Sequence, residues 1–318
     1  MDNRTRFRDL TSFFLYLLFV STIGPLLFGY HLAELNTPQD VITCKRKSLF
    51  SPDTIAASTL PQCIPMSPAQ IGVVQSIFTL GGLFGALAAG PVSSRYGRLR
   101  TMQLTTIFFI AGPALEAPAP NIATLSIGRL ISGIGAGGSL VSVPIYVSEI
   151  SPPGQKGFFG SFTQIMANIG ILLTQLLGYF LSKGQMWRLV LGIGGAIGLA
   201  QAIGLFVSVE SPKWLADQGH TKEADTILRK IRGNNSNVDE EFASWGTDGP
   251  SHNEAEALLS EENHETNLDA SRTTRRKQEN KEALGMLDVI KHPDYAKAAF
   301  VVIMIMIAQQ LTGKHPSL

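Results

Sequence analysis

Several polar side chains stand inside or at the ends of long apolar stretches. His31 and Glu34 close the first stretch, Arg129 interrupts a later one, Gln164 and Gln175 lie along another, and Gln309-Gln310 sit near the end of the last. Amides and charges are costly in lipid unless they face a partner or a cavity. An arginine inside the bilayer costs at least about 2.5 kcal/mol on insertion scales, so Arg129 needs a partner or a wet cavity. His31 reads either as a pH-responsive group or as a neutral histidine hydrogen-bonded in a helix seam. No nucleophile–base pair and no metal-ligand spacing is found, which argues against an enzyme and against a metal or cofactor. Gly133, Gly135 and Gly138 spell G-x-G-x-x-G. A nucleotide loop needs a strand before them, whereas here they lie within an apolar helix, where small residues let helices approach closely.

The elements that must position these residues follow from composition. The chain has 318 residues, 45% hydrophobic and 16% charged, with net charge +1. Ordinary soluble proteins carry about 25% charged residues. A near-neutral chain also lacks the basic face of a nucleic-acid binder. Apolar runs of membrane-spanning length recur, predicting helices over 12–32, 68–90, 102–120, 122–145, 158–182, 187–208 and 296–313. The first is too long for a signal-peptide core and is kept as a helix. Arg4, Arg6 and Arg8 precede it. Arg95, Arg98 and Arg100 follow the second helix, Lys156 the fourth, and a Lys/Arg-rich stretch the sixth. By the positive-inside rule these lie in the cytoplasm, with the N-terminus, although Lys45-Arg46-Lys47 falls on the opposite side.

Cys44 and Cys63 both lie in the outer loop 36–66, where either a disulfide or two free thiols is allowed. The sequons at Asn3 and Asn234 fall on the cytoplasmic side and are expected to carry no glycan. The expected parts are a cytoplasmic N-terminus (1–11), a six-helix bundle (12–208), a polar cytoplasmic segment (209–294), a lone seventh helix (295–313) and a tail (314–318). Within the polar segment, "TKEADTILRKIRG" has a helical apolar stripe at Ala224, Ile227, Leu228 and Ile231. "EALGMLDVIKHPDY" reads as a second short amphipathic helix, and about 234–280 as disordered.

Five motifs occur in order: "FGYHLAELNTPQ", "GPVSSRYGRLR", "GRLISGIGAGG", "PIYVSEISPPGQKG" and "VESPKWL". Together they resemble the sugar-porter family of the major facilitator superfamily. The resemblance implies an all-α membrane protein whose six-helix N-terminal bundle is a 3+3 inverted repeat. Gly90, Arg95, Gly97 and Arg98 match the family's loop after helix 2, where Ser94 replaces an acid or amide and Leu99 an arginine. Glu149, Lys156 and Gly157 match E-x6-R-G, and Glu210, Ser211, Pro212 and Lys213 match P-E-S-P-R. In the family these groups pair across two halves when the cytoplasmic gate closes. Lys156 and Lys213 keep the charge but lose the bidentate arginine grip, so a weaker closed state is expected.

The resemblance also implies roles in binding. In "QIMANIGILLTQ", Gln164 takes the position of a sugar-hydroxyl ligand, with Ile171 on the same segment and Gln175 further along. An amide suits sugars because it both donates and accepts hydrogen bonds, although interhelical adhesion is a rival role for Gln175. In proton-coupled members an Asp after F-G-Y meets the arginine of helix 4. Here that place is His31, and a contact between Glu34, one turn on, and Arg129 is expected, with His31 beside it. Gln309, Gln310, Thr312 and Gly313 match the family's Q-Q-x-[ST]-G-x-N, but Lys314 follows and the asparagine is absent. Gly313-Lys314 can be encoded with a splice-donor sequence, so "KHPSL" reads as translated intron or a mis-predicted exon end.

The function implied is alternating-access transport of a hexose-like monosaccharide by a full-length parent, with this chain a truncated, transport-incompetent form lacking its C-terminal half. The second reading is a non-transporting sugar sensor or an inert fragment. The expected surroundings are the lipid bilayer and a monosaccharide, in the plasma membrane or, alternatively, the vacuolar membrane, with no nucleic acid.

Overall fold

Four helix starts are written in the sequence as side-chain caps. Thr11, Ser67, Asn121 and Ser211 accept hydrogen bonds from the amides of Phe14, Gln70, Thr124 and Trp214, taking up donors that a helix terminus leaves unpaired. At Ser67 the Gln70 side chain also accepts the Ser67 amide, a reciprocal capping box. The computed structural model describes residues 11–45, 60–233, 238, 241, 242 and 304. Its helices are α1 (Ser12–Ala33), α2 (Gln39–Ile42), α3 (Pro68–Tyr96), α4 (Arg98–Glu116), α5 (Ile122–Ile150), α6 (Lys156–Leu181), α7 (Trp187–Val207), α8 (Pro212–Asp217) and α9 (Thr221–Arg232). No strand occurs among the described residues.

α1, α3, α5, α6 and α7 are each long and apolar enough to cross a membrane. α4 occupies the remaining place in the six-helix set. It is less apolar because Arg98 and Arg100 open it and Glu116 closes it. α3 and α5 run further than expected, to Tyr96 and Ile150, because the basic and serine-containing motifs continue the helix. α4 begins earlier than expected, at Arg98. Gly97, at φ +95°, makes the turn between α3 and α4 in a backbone region that glycine adopts readily. α9 carries the expected stripe and stops at Gly233. The expected seventh helix, 296–313, and the second amphipathic helix lie outside the described residues, apart from the helical, exposed Met304.

The chain divides into two units, Met1–His252 and Asn253–Leu318. In the first, α3 packs on α5, α4 on α5 and α7, and α1 on α5, α6 and α7. The glycines of α5 are what permit this. A Cβ at Gly133 or Gly137 would strike the carbonyls of Phe78 or Gly82 on α3, and one at Gly138 would meet Thr105 of α4. These small residues bring backbones together, as expected for helices packing in lipid.

The buried apolar residues form three clusters along the bundle. One is around Phe14, Tyr146 and Phe159, one around Leu27, Phe78 and Phe109, and one around Leu35, Ile42 and Trp187. Phe19, Leu172, Ile203 and Phe206 are 61–81% exposed. An outward apolar belt of this kind is matched to hydrocarbon rather than water.

Candidate functional site

Near the C-terminal ends of α1 and α4, four polar residues meet inside the bundle. His31, Glu34 and Glu116 are fully buried, and Arg129 is 1% exposed. Arg129 NH1 donates to Glu34 Oε1 at 2.5 Å and to the His31 carbonyl at 2.7 Å. His31 Nδ1 lies 2.9 Å from the other Glu34 oxygen. The Arg129 guanidinium stacks over Phe78, 4.3 Å from the ring centroid, and the His31 ring stacks on Phe109. The expected Glu34–Arg129 contact and its neighbour His31 are therefore brought together. Glu116 joins them: its Oε1 accepts from the Ser132 hydroxyl at 2.7 Å. Ligand atoms of His31, Glu34 and Glu116 fall within 4.8 Å of one another, a grouping that sequence spacing did not suggest. The cation already in this cluster is Arg129.

A second polar feature runs along α6. Its buried face is Phe159, Ala167, Gly170, Thr174 and Gly178. Gln164, Asn168, Ile171 and Gln175 recur at four-, three- and four-residue steps, so they share one stripe. Gln164, Asn168 and Gln175 are exposed and Ile171 is half-buried. Gln164 Nε2 is 3.5 Å from Asn168 Oδ1. At roughly 100° per residue the stripe lies between the packed face and the apolar outer face of Ile165, Leu172 and Leu176. A run of amides in that position can hydrogen-bond a polyhydroxylated ligand from one wall. Gln309 and Gln310 lie outside the described residues.

At the other end of α4, Glu210 accepts from the amides of Arg98 (2.8 Å) and Leu99 (3.0 Å). It thus serves as the cap of a helix whose own preceding residue, Gly97, has no side chain to do so. Arg98 forms a two-pronged pair with Glu149, Nε and NH2 donating at 2.9 and 2.8 Å. Trp214 Nε1 donates to the Ser94 carbonyl. Arg98, Glu149 and Glu210 are thus joined. Arg95 instead lies over Tyr96, and Lys156 and Lys213 stand exposed at the starts of α6 and α8.

Cys44 and Cys63 form a disulfide. The loop they close is tied to the bundle by Trp187 Nε1 donating to the Gln62 carbonyl, and by Arg188 donating to the Pro61 carbonyl. Arg188 also donates to the carbonyls of Ala117 and Ala119.

A family model described as "Sugar (and other) transporter" matches residues 17–315. The chain belongs to this sugar transporter family. A probable metabolite transport protein of Saccharomyces cerevisiae is 31% identical over 301 residues, covering 92% of this chain and 58% of that protein. A glucose transporter of Staphylococcus epidermidis is 32% identical over 71% of this chain and 47% of its own length. A facilitated glucose transporter, member 3 of its solute-carrier family, from Gallus gallus is 28% identical over 96% of this chain and 57% of its own. Among solved structures, the xylose transporter XylE of E. coli superposes with a TM-score of 0.61 at 23% identity, over 74% of this chain and 59% of that one.

The fold is therefore that of the major facilitator superfamily, and the chain is an integral membrane protein of a transporter family, not an enzyme. It spans about half the length of the curated relatives that it matches.

Sequence reasoning missed three residues. Glu116 is a carboxylate inside the expected span 102–120, and its cost in lipid was the signal that could have found it. Asn168 lies one turn from Gln164 and was legible by helical spacing. Arg232, which donates to the carbonyls of Ile150 and Ser151 at the end of α5, gave no signal beyond its place at the end of α9.

Proposed function

We propose that this chain forms the N-terminal part of a transporter for a hexose-like monosaccharide, working by alternating access. In such a mechanism two half-bundles rock about a site near the bilayer midplane, so the substrate meets one side at a time. The observation that carries the reading is the amide stripe of α6, Gln164 and Asn168 with Ile171 beside them. In an apolar helix, a set of donors and acceptors left on an open face is costly unless it lines a wet cavity. The motif that holds Gln309 and Gln310, which lie outside the described residues, gives them as further sugar-binding amides. Arg98, Glu149 and Glu210 form the cytoplasmic charge network, with Arg95, Lys156 and Lys213 as the exposed charges that meet the opposing half when the gate closes. His31, Glu34 and Arg129 form the coupling cluster.

The membrane is the plasma membrane, and the N-terminus is cytoplasmic. In support, the basic turn Arg95–Arg100 and the disulfide Cys44–Cys63 lie toward opposite ends of α3, as an oxidising exterior and a basic interior require.

Uptake of labelled hexose into cells lacking their own hexose transport tests this. The 318 residues alone give no saturable uptake. Joined in frame to the remaining half of the Saccharomyces cerevisiae relative, they give saturable uptake, and Gln164→Ala in that fusion lowers it at least ten-fold. Uptake indifferent to Gln164→Ala would remove the α6 stripe from the sugar site. Saturable flux through the 318 residues alone would refute the two-half mechanism.

A further inference from the structure

Counting charges in the buried cluster leaves one negative charge over. Arg129 and Glu34 neutralise each other through a direct contact, and both Glu34 oxygens are occupied, by Arg129 and His31 Nδ1. Glu116 is equally buried, yet its partner is a neutral hydroxyl, Ser132, and its Oε2 has no hydrogen-bond partner. His31 Nε2 is likewise without one.

With His31 counted as neutral, no second cation is in contact with Glu116. α1 presents His31, Glu34 and Tyr30 to this region, and the Tyr30 hydroxyl donates to the Val190 carbonyl. α5 presents Arg129. α3 presents Phe78, which is uncharged. α7 presents Arg188, whose guanidinium is taken up by the carbonyls of Ala117, Ala119 and Pro61. Among the described residues no ion pair reaches Glu116. An unpartnered charge left buried in low dielectric is strongly destabilising. Two carboxylates this close to one another do not both ionise readily.

We propose that the cluster is a proton-binding site, with Glu116 as the group that carries the proton. The neutral acid keeps Ser132 as donor to Oε1 and turns Oε2 from an orphaned acceptor into a donor toward the Glu34–His31 side. Loss of the proton gives Glu116 carboxylate and one free proton, with no other bond changed. The binding site stands on the bundle alone. That its proton moves with sugar rests on the transporter reading: separation of α1, α4 and α5 would admit water to the seam and let the proton leave on that side.

Infrared difference spectroscopy of the full 318-residue chain in lipid nanodiscs, with isotope-labelled glutamate, reads a protonated carboxyl through its C=O stretch. At about neutral pH a neutral-acid band is expected. Ser132→Ala shifts it to higher frequency, because it loses the hydrogen bond that only Glu116 receives, and Glu116→Gln abolishes it.

The absence of a band in the native chain overturns the proposal. So does a band unmoved by Ser132→Ala, or one that survives Glu116→Gln. Stoichiometric zinc retained by the native chain and lost in Glu116→Gln also overturns it, by showing a metal rather than a proton. Failure of the sugar reading, seen as uptake indifferent to Gln164→Ala, leaves the band in place, so the two fail separately.

Discussion

At the scale of single residues, Glu34–Arg129 is the most buried of the described arginine–carboxylate pairs. It is buried, short and shared with the His31 carbonyl. Glu34→Gln leaves the guanidinium without its counter-ion, and a loss of about 3–5 kcal/mol is expected for such a change. Thermal unfolding in detergent should show it as a large drop in midpoint. The double variant Glu34→Gln with Arg129→Met should recover most of the loss, because removing both charges of a buried pair is often near neutral. A double variant no more stable than Glu34→Gln alone would mean that the pair is not what Glu34 contributes. Glu34 and Arg129 were legible in the sequence because each is conspicuous in an apolar run. Their neighbour Glu116 was equally conspicuous, but its partner Ser132 comes from another helix and is ordinary in type. A residue's own cost in lipid can be read along the chain, whereas the identity of a partner on another helix depends on packing.

At the scale of helices, the fold is set by where backbones can touch. Gly137 meets the Gly82 backbone of α3, while Gly72, at the start of α3, faces open space. Gly137→Val therefore forces α3 away from α5 and should destabilise by about 1–3 kcal/mol or more. Gly72→Ala should leave the unfolding midpoint unchanged or raise it slightly, since glycine is a poor helix former. Equal effects of the two substitutions would contradict the close approach.

The first six spans and their order were legible because apolar length is a strong signal in lipid. The G-x-G-x-x-G run was correctly separated from a nucleotide loop by the absence of a preceding strand. The ends were read less well. The basic turn before α4 was expected to lie outside the helices, but Arg95 and Tyr96 stay in α3 and Arg98 opens α4. For the start of α4 the hidden reason is Glu210, more than a hundred residues away in sequence, which caps α4 from just beyond the end of its neighbour α7.

At the scale of the whole molecule, orientation is the property from which the other readings take their direction. In sequence, Lys45-Arg46-Lys47 competes with Arg95, Arg98 and Arg100 for the cytoplasm, and Lys45 lies toward the opposite end of α3 from the second group. The proposed orientation takes its support from the disulfide, because Cys44 and Cys63 lie at the Lys45 end and a disulfide persists in an oxidising compartment. In intact cells, an impermeant reductant followed by an impermeant thiol label should mark Cys44 and Cys63. In a Cys44→Ser, Cys63→Ser background, Ser94→Cys, exposed at the far end of α3, should be marked only after the cells are permeabilised. The reverse pattern would place Arg98, Glu149 and Glu210 outside. The network at the start of α4 would then have to be read as an outer gate, and the proton cluster would open toward the cytoplasm first.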